Sequence, residues 1–102
     1  MIEVTYQNNH IIIKGHANYA PIDQDIVCAG VSTLVQTLIQ SIEELTADKI
    51  KYVMSPGKVD IKYGNLSEQA QLLVDSFFVG LRLIADEYPE NVIISQSSIK
   101  NM

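Results

Sequence analysis

The sequence contains no tryptophan, one cysteine and two histidines among its 102 residues. A single cysteine cannot close an internal disulfide, which argues against a small secreted scaffold held by disulfides. Cys28, His10 and His16 do not match the spacing of a zinc site, so no metal and no other cofactor is expected. Any chemistry is therefore expected to come from side chains alone.

Basic residues are also scarce, with seven Lys and Arg against twelve Asp and Glu and a net charge of -5. Nucleic-acid surfaces need clustered Lys and Arg, so direct binding to nucleic acid is not expected. No apolar run approaches the ~18 residues of a membrane span. Residues 1–6 lack the basic region and apolar run of a signal peptide. We expect a cytoplasmic protein that binds no membrane.

What is present is the composition of one folded domain over residues 1–102, with 47% hydrophobic and 19% charged residues. Alternating apolar residues predict five strands, at residues 2–6, 10–14, 50–54, 58–63 and 92–96. Helical spacing predicts helices over residues 26–46 and 67–88. We expect the tail, residues 97–102, to be frayed.

The resulting order, β-β-α-β-β-α-β with strands grouped in hairpins, predicts an α+β fold. Its simplest form has two layers, a mainly antiparallel sheet with both helices on one face. The second helix carries an apolar stripe expected to face the sheet: Ala70, Leu73, Phe77, Leu81, Ile84 and Tyr88. It also carries further apolar residues: Leu72, Val74, Phe78 and Leu83. These are either core assigned to the wrong face or, as we favour, a homodimer interface.

The residues that can do chemistry concentrate around the start of the first helix. Asp25 is its natural N-cap, which makes Cys28 the third helical residue. The positive end of the helix dipole favours an anion there by about 0.3–1 kcal/mol when exposed and up to ~2 when partly buried. That is too little to ionise the thiol fully at neutral pH, so a second positive group is needed. His16 is the candidate, as partner of the thiolate and proton donor to a leaving amine.

Three neighbours of Cys28 have open roles. Asp25 either only caps the helix or also orients His16, as the third member of a triad does. Ser32 lies one turn after Cys28 on the same face. Its hydroxyl bonds the sulfur, a substrate group or the helix backbone. The first-turn N–H groups of Cys28 and Ala29 are expected to form an oxyanion hole.

Residues 16–24 have no periodicity and contain Pro21, which predicts a loop. Substrate contacts are expected around this loop and the helix start, from Gly15, Ala17, Tyr19 and Ala29, with Tyr52 as a further groove residue. His10 lies beside the Asn8-Asn9 turn and is expected to be solvated. A lone cysteine on an apolar helix is more often core than nucleophile, so a structural Cys28 stays open.

Gly15-His16-Ala17 and the run from Asp25 to Ser32 (DIVCAGVS) resemble the ribosomal-processing cysteine proteases of the Prp family. The resemblance extends over the whole chain. It implies a bacterial cytoplasmic homodimer that removes a short N-terminal extension from a ribosomal protein of the large subunit. It also implies catalytic roles for Cys28 and His16, supported by Gly15, Asp25 and Ser32.

The resemblance further implies a mobile loop, here residues 17–24, that orders over the substrate. Family members usually have a glycine two residues before the aspartate, where this chain has Asp23. Together with Pro21, this predicts a loop with less conformational freedom. The alternative function is a non-catalytic binding module for a ribosomal protein or a ribosome assembly factor, with Cys28 as core.

Overall fold

The computed structural model describes residues 1–96. Its five strands are β1 (Ile2–Gln7), β2 (His10–Lys14), β3 (Lys51–Ser55), β4 (Lys58–Lys62) and β5 (Val92–Gln96). Its two α-helices are α1 (Ile26–Leu45) and α2 (Glu68–Glu87). The predicted order β-β-α-β-β-α-β and the α+β class are confirmed. The predicted fraying of residues 97–102 lies outside the described residues.

The strands form one sheet in the order β3-β4-β2-β1-β5. β5 pairs with β1 in parallel, and the other three pairings are antiparallel. The β1–β2 hairpin closes through Asn8 and Asn9, whose φ angles are 51° and 63°. Asparagine tolerates this left-handed conformation, which matches the twist of a two-residue hairpin. The sheet order places β2, which leads into the loop before α1, next to β4.

One face of the sheet carries the core. Val4 of β1 and Ile11 of β2 are completely buried, while Glu3 and Thr5 on the opposite face are exposed. The inward residues of the sheet and the buried residues of both helices form one cluster. Each fully buried Val or Ile contributes about 1.5–3 kcal/mol relative to exposure. Because both helices pack on the same core, this two-layer arrangement sets the position of each helix relative to the strands.

The buried stripe of α1 consists of Val27, Val31, Val35, Leu38, Ile39 and Ile42. Leu45, at the C-terminal end of α1, is 70% exposed. By length and composition, α1 could also cross a membrane, with a mean hydropathy of 1.3, which the sequence analysis did not anticipate. Its buried stripe packs in the common core, as in the central helix of many soluble domains.

The additional apolar residues of α2 divide into two groups. Val74 is buried, and the Phe78 ring packs against Tyr6 with 5.1 Å between centroids, so both belong to the core. Leu72 and Leu83 are 67% and 68% exposed. With the exposed Val79 they lie at helical spacing on one outward face, called here the α2 stripe.

Candidate active site

Asp25 caps α1, as predicted, and it also connects the preceding loop to the helix. Its Oδ1 accepts hydrogen bonds from the N–H groups of Val27 at 3.0 Å and Cys28 at 2.9 Å. Its Oδ2 accepts from the N–H groups of Tyr19 at 3.0 Å and Ala20 at 3.4 Å. These bonds, the one from Cys28 foremost, hold the pKa of the Asp25 carboxyl below its usual value although the residue is buried.

The second role predicted for Asp25 was to orient His16. Both carboxylate oxygens already accept from backbone donors. Within residues 1–96, no hydrogen bond joins Asp25 to the His16 ring. The geometry therefore supports the cap, with the loop as its second partner.

Cys28 lies half-buried in the first turn of α1, the third residue of the helix. Its Sγ accepts a hydrogen bond from the N–H of Ala17 at 3.2 Å. Ala17 is itself buried, so this donor is shielded from water. Hydrogen bonds to an ionised acceptor are about twice as strong as neutral ones. The loop thus brings a donor to the sulfur in addition to the helix dipole.

His16 lies on the other side of the same cavity, of about 230 Å³, that Cys28 lines. The ring packs over Gly57, where an added Cβ would come within 3.2 Å of Nε2. Gly57 has a φ of 74° in the β3–β4 turn, a further reason for glycine. No hydrogen bond between the His16 ring and Cys28 is present in the described part of the chain. His16 is exposed.

Most of the remaining wall of this cavity is apolar and comes from several elements, and Ser55 and Lys58 add polar groups to it. The apolar residues are Ile2, Ile13, Val31, Val35, Met54 and Val59. Met54 and Gly57 belong to the β3–β4 hairpin, which the sequence analysis did not connect with the site. The connection depends on the pairing of β4 with β2, where Val59 lies opposite Ile13. No local pattern in the sequence signals that pairing.

A second, shallower depression of about 350 Å³ opens on the other side of Cys28, with Asp23, Ala29 and Ser32 among its lining residues. Cys28 and Ser32 line both depressions. Cys28 therefore lies where a chain crossing from one depression to the other would pass. A larger depression of about 770 Å³, between α2 and β5, has none of the predicted catalytic residues in its lining.

The expected oxyanion hole is not available in this arrangement. The Cys28 N–H donates to Asp25 Oδ1, and the Ala29 N–H donates to the Asp25 backbone carbonyl at 3.1 Å. Both N–H groups already have acceptors at the start of the helix, so neither can donate to an oxyanion. The amide directed at the sulfur belongs to Ala17 instead.

The hydroxyl of Ser32 makes no hydrogen bond within the described residues, neither to the sulfur nor to the helix backbone. The neighbouring Thr33 makes the back-bond to a carbonyl, that of Ala29, at 2.8 Å. Ser32 is exposed and faces the cleft, where its hydroxyl can meet a ligand.

Gly15 and Ala17 lie at the cleft, but Tyr19 and Tyr52 contribute no side chain to the Cys28 cavity. Gly15 has a φ of 97°, and a Cβ there would overlap the Met1 carbonyl oxygen, so only glycine fits. The Tyr19 ring packs edge-on against Tyr88 with 5.2 Å between centroids. Tyr52 lines a separate depression on the β3–β4 hairpin.

The predicted loop contains one turn of 3₁₀ helix, Ile22–Gln24, closed by a hydrogen bond of 2.8 Å from Gln24 N–H to the Pro21 carbonyl. Asp23 lies exposed within that turn. Proline fixes φ at the start of the turn, and the reduced conformational freedom of the loop stays a prediction.

His10 was expected to be solvated, and the structure corrects this. Its Nε2 lies 2.7 Å from Asp60 Oδ1 across the β2–β4 pair, and its side chain is 32% exposed. It sits at the opposite end of β2 from His16. Among residues 1–96, no group of three His, Cys, Asp or Glu side chains is placed to hold a metal ion.

A two-layer α+β domain with a cysteine at a helix start and a histidine on the same cavity has the side chains that a thiol hydrolase needs. The family model described as cysteine protease Prp matches residues 1–93. The chain belongs to this family.

Two similar proteins illustrate the match. The ribosomal processing cysteine protease Prp of Staphylococcus aureus (strain Mu50) is 33% identical over 85 residues, which is 80% of each chain. The crystal structure of an S. aureus Prp with a covalently linked product peptide superimposes with a TM-score of 0.86 at 26% identity. That match covers 94% of this chain and 97% of the other.

Proposed function

We propose that this chain is a cysteine endopeptidase that removes the N-terminal extension of a ribosomal protein of the large subunit, with Cys28 as nucleophile and His16 as general base and acid. One observation carries the assignment of the nucleophile. Cys28 lines two adjoining depressions, and its sulfur accepts a shielded N–H from Ala17.

In the first half of the reaction, the Cys28 thiolate attacks the scissile carbonyl carbon. The carbonyl π electrons move to the oxygen, which becomes an oxyanion. Collapse of this intermediate breaks the C–N bond and leaves a thioester on Cys28. The His16 imidazolium gives its proton to the leaving amine.

In the second half, His16 takes a proton from water, and the resulting hydroxide equivalent attacks the thioester. The C–S bond breaks, the extension leaves as a carboxylic acid, and the thiolate is restored. The Ala17 N–H is directed at the sulfur and donates to no carboxylate or carbonyl, so it is the donor that we propose for the oxyanion.

The cleft indicates an extended peptide as substrate. Its chain crosses Cys28 from the cavity of about 230 Å³ to the open depression beyond the start of α1. The cavity wall is largely apolar, so it accepts an apolar side chain next to the scissile bond. Ser32 lines both depressions, and its hydroxyl can hydrogen-bond the backbone of the bound peptide.

Residues 17–24 are proposed as the gate of this cleft. Their contacts to Asp25 Oδ2, from Tyr19 and Ala20, must break if the loop opens while α1 keeps its cap bonds to Oδ1. Oδ2 of Asp25 thus holds the loop that would move, whereas Oδ1 holds the first turn of α1, which would stay in place.

The function is tested with a peptide that spans the processing site of the ribosomal protein. Wild type is expected to cleave it at one bond. Cys28→Ala is expected to abolish cleavage, and His16→Ala to lower kcat by about 10²–10⁴-fold. Equal cleavage by wild type and Cys28→Ala would exclude Cys28 as the nucleophile.

The protein is proposed to act in the cytoplasm as a homodimer, joined through the α2 stripe. Its three large apolar side chains are exposed on one helix face, which favours burial against a second copy. Sedimentation equilibrium at micromolar concentration is expected to show a dimer for wild type and a monomer for Leu83→Glu. Gln36→Glu, on the exposed face of α1, is the charge-matched control. A wild-type monomer, or a dimer that survives Leu83→Glu, contradicts this interface.

A further inference from the structure

Ala17 connects the nucleophile to a distant part of the chain. Its N–H donates to Cys28 Sγ at 3.2 Å, and its carbonyl oxygen accepts from Asn91 Nδ2 at 2.9 Å. The two bonds hold the peptide groups on either side of one buried residue. Rotation about the Ala17 backbone would break one bond or the other, so the carbonyl contact helps to set the direction of the N–H.

Asn91 is well placed to act as a fixed support. Its own N–H donates to the Tyr88 carbonyl at 2.9 Å, and its carbonyl accepts from the Ile2 N–H at 2.8 Å. The backbone of Asn91 is thereby bound to the end of α2 and to the start of β1. The side-chain amide projects from this anchored turn to the loop, 74 residues away in sequence.

The same turn holds the loop at a second point. The Tyr88 ring packs edge-on against Tyr19 at an interplanar angle of 78°. Between Ala17 and Tyr19, Asn18 adopts a φ of 57°, which reverses the chain so that both neighbours face the α2–β5 turn. The first half of the loop is therefore docked on the end of α2, apart from its contacts with Asp25.

We propose that Asn91 is a positioning residue for the nucleophile: its amide holds the Ala17 carbonyl and so keeps the Ala17 N–H on the Cys28 sulfur. It touches neither the sulfur nor the substrate path and acts through Ala17. The inference rests on the proposed role of Cys28 as a reactive thiol, but it can be measured without the ribosomal substrate.

The test is the pH profile of Cys28 alkylation by iodoacetamide in Asn91→Leu, which keeps the approximate shape of the side chain and removes the donor. The midpoint is expected to move up by about 0.5–1 pH unit relative to wild type, since a hydrogen bond to the ionised form is weakened. With the peptide substrate, kcat is expected to fall about 5–10-fold with KM within about two-fold.

Asn65→Leu is the matched control, because Asn65 is an exposed asparagine before α2 whose side chain bonds no described residue. It is expected to keep the wild-type profile. If Asn91→Leu does not fold, Asn91→Ser replaces it, since the serine hydroxyl stops short of the Ala17 carbonyl and the same shift is expected. A lower melting temperature with an unchanged alkylation midpoint, in either variant, overturns the proposal and makes Asn91 merely structural.

A wild-type thiol that alkylates readily while the peptide is not cleaved would instead count against the proposed protease function alone. The midpoint shift in Asn91→Leu would still report on the support from Ala17. The two failures are therefore distinguishable.

Discussion

The two helices begin in similar ways, but only the start of α1 forms a site. At α1, Asp25 caps directly and its Oδ1 accepts from the third residue, Cys28, at 2.9 Å. At α2, Ser67 caps and its hydroxyl accepts from the third residue, Ala70, at 3.1 Å. Asp48 supports that cap by accepting from the Ser67 N–H at 2.8 Å and from its hydroxyl.

The difference lies in what covers the third residue. Ala70 is completely buried in the core. Cys28 is half-buried, opens onto two depressions and receives an N–H from a loop that lies over it. A capped N-terminus and a helix dipole are common to α1 and α2, so they explain why both helices begin where they do. The loop from Gly15 to Asp25 is what distinguishes the proposed site at the start of α1.

The largest contrast is expected in activity. Asp25→Ala removes both the cap of α1 and the acceptor for the Tyr19 and Ala20 amides, so the loop over Cys28 loses its position. Since a displacement of about 1 Å at a reacting group can cost 10²-fold, kcat/KM for the peptide is expected to fall about 10²-fold. Ser67→Ala is expected to leave kcat/KM within about two-fold. A comparable loss in both variants would mean that the α1 start has no special role.

A smaller effect is expected on stability. Ser67→Ala leaves the Ala70 N–H without its cap and removes one hydrogen bond to Asp48, which costs about 1 kcal/mol in the free energy of unfolding. Urea denaturation at neutral pH measures it. Thr37→Ala, on the exposed surface of α1, is the control. A free energy of unfolding equal to wild type in Ser67→Ala would show that the cap does not stabilise the fold.

The smallest effect is expected on the loss of folding stability at acid pH. The pKa of Asp25 is lowered by accepted backbone N–H bonds, chiefly that from Cys28, and the pKa of Asp48 by its bonds from Ser67. A carboxyl whose pKa is lower in the folded state stabilises the fold above its unfolded value of ~3.9. That stability is lost as the pH falls through the lower, folded value.

Urea denaturation at pH values from about 5 to 2 tests this. Wild type is expected to lose stability as the pH falls, and Asp48→Asn to lose less over the same interval, because one linked proton is removed. Asp86→Asn, at an exposed position of α2, controls for the change in net charge. An identical decline in wild type and Asp48→Asn would contradict the assignment of this loss at acid pH to the helix caps.

Local patterns in the sequence were sufficient for the elements and for the start of α1. Alternation located the strands, Asn8-Asn9 located a hairpin turn, and Asp25 was identified as a cap, because each of these depends on residues close in the chain. The same locality placed Cys28 as the third residue of α1. The family resemblance then supported His16 as its partner, and the structure places both on one cavity.

Features that depend on long-range packing were missed. The pairing of β4 with β2, which brings Met54 and Gly57 to the cavity, has no local signal. Periodicity could not separate Val74, which is core, from Leu72, which is exposed on the same helix. The Asn91 contact spans 74 residues and arises from the parallel placement of β5 beside β1.

The oxyanion hole shows a different limit. Helix geometry correctly indicates that first-turn N–H groups lack partners within the helix. It does not indicate that the cap side chain will take the Cys28 N–H, as Asp25 Oδ1 does, while the Ala29 N–H makes the first regular helical bond, to the Asp25 carbonyl. A good cap and a free oxyanion hole compete for the same amides, so the donor is proposed to come from the loop.

The account's central claim is that the α1 start, with its loop, makes a thiol reactive, whereas the α2 start does not. The most direct test compares iodoacetamide alkylation of Cys28 in wild type with that of a thiol at the equivalent place in α2, in the double variant Cys28→Ala, Ala70→Cys. Cys28 is expected to alkylate completely in the native protein at neutral pH, and the thiol introduced in α2 to react only after denaturation. An inert Cys28, or equal native reactivity of the two thiols, would contradict the account.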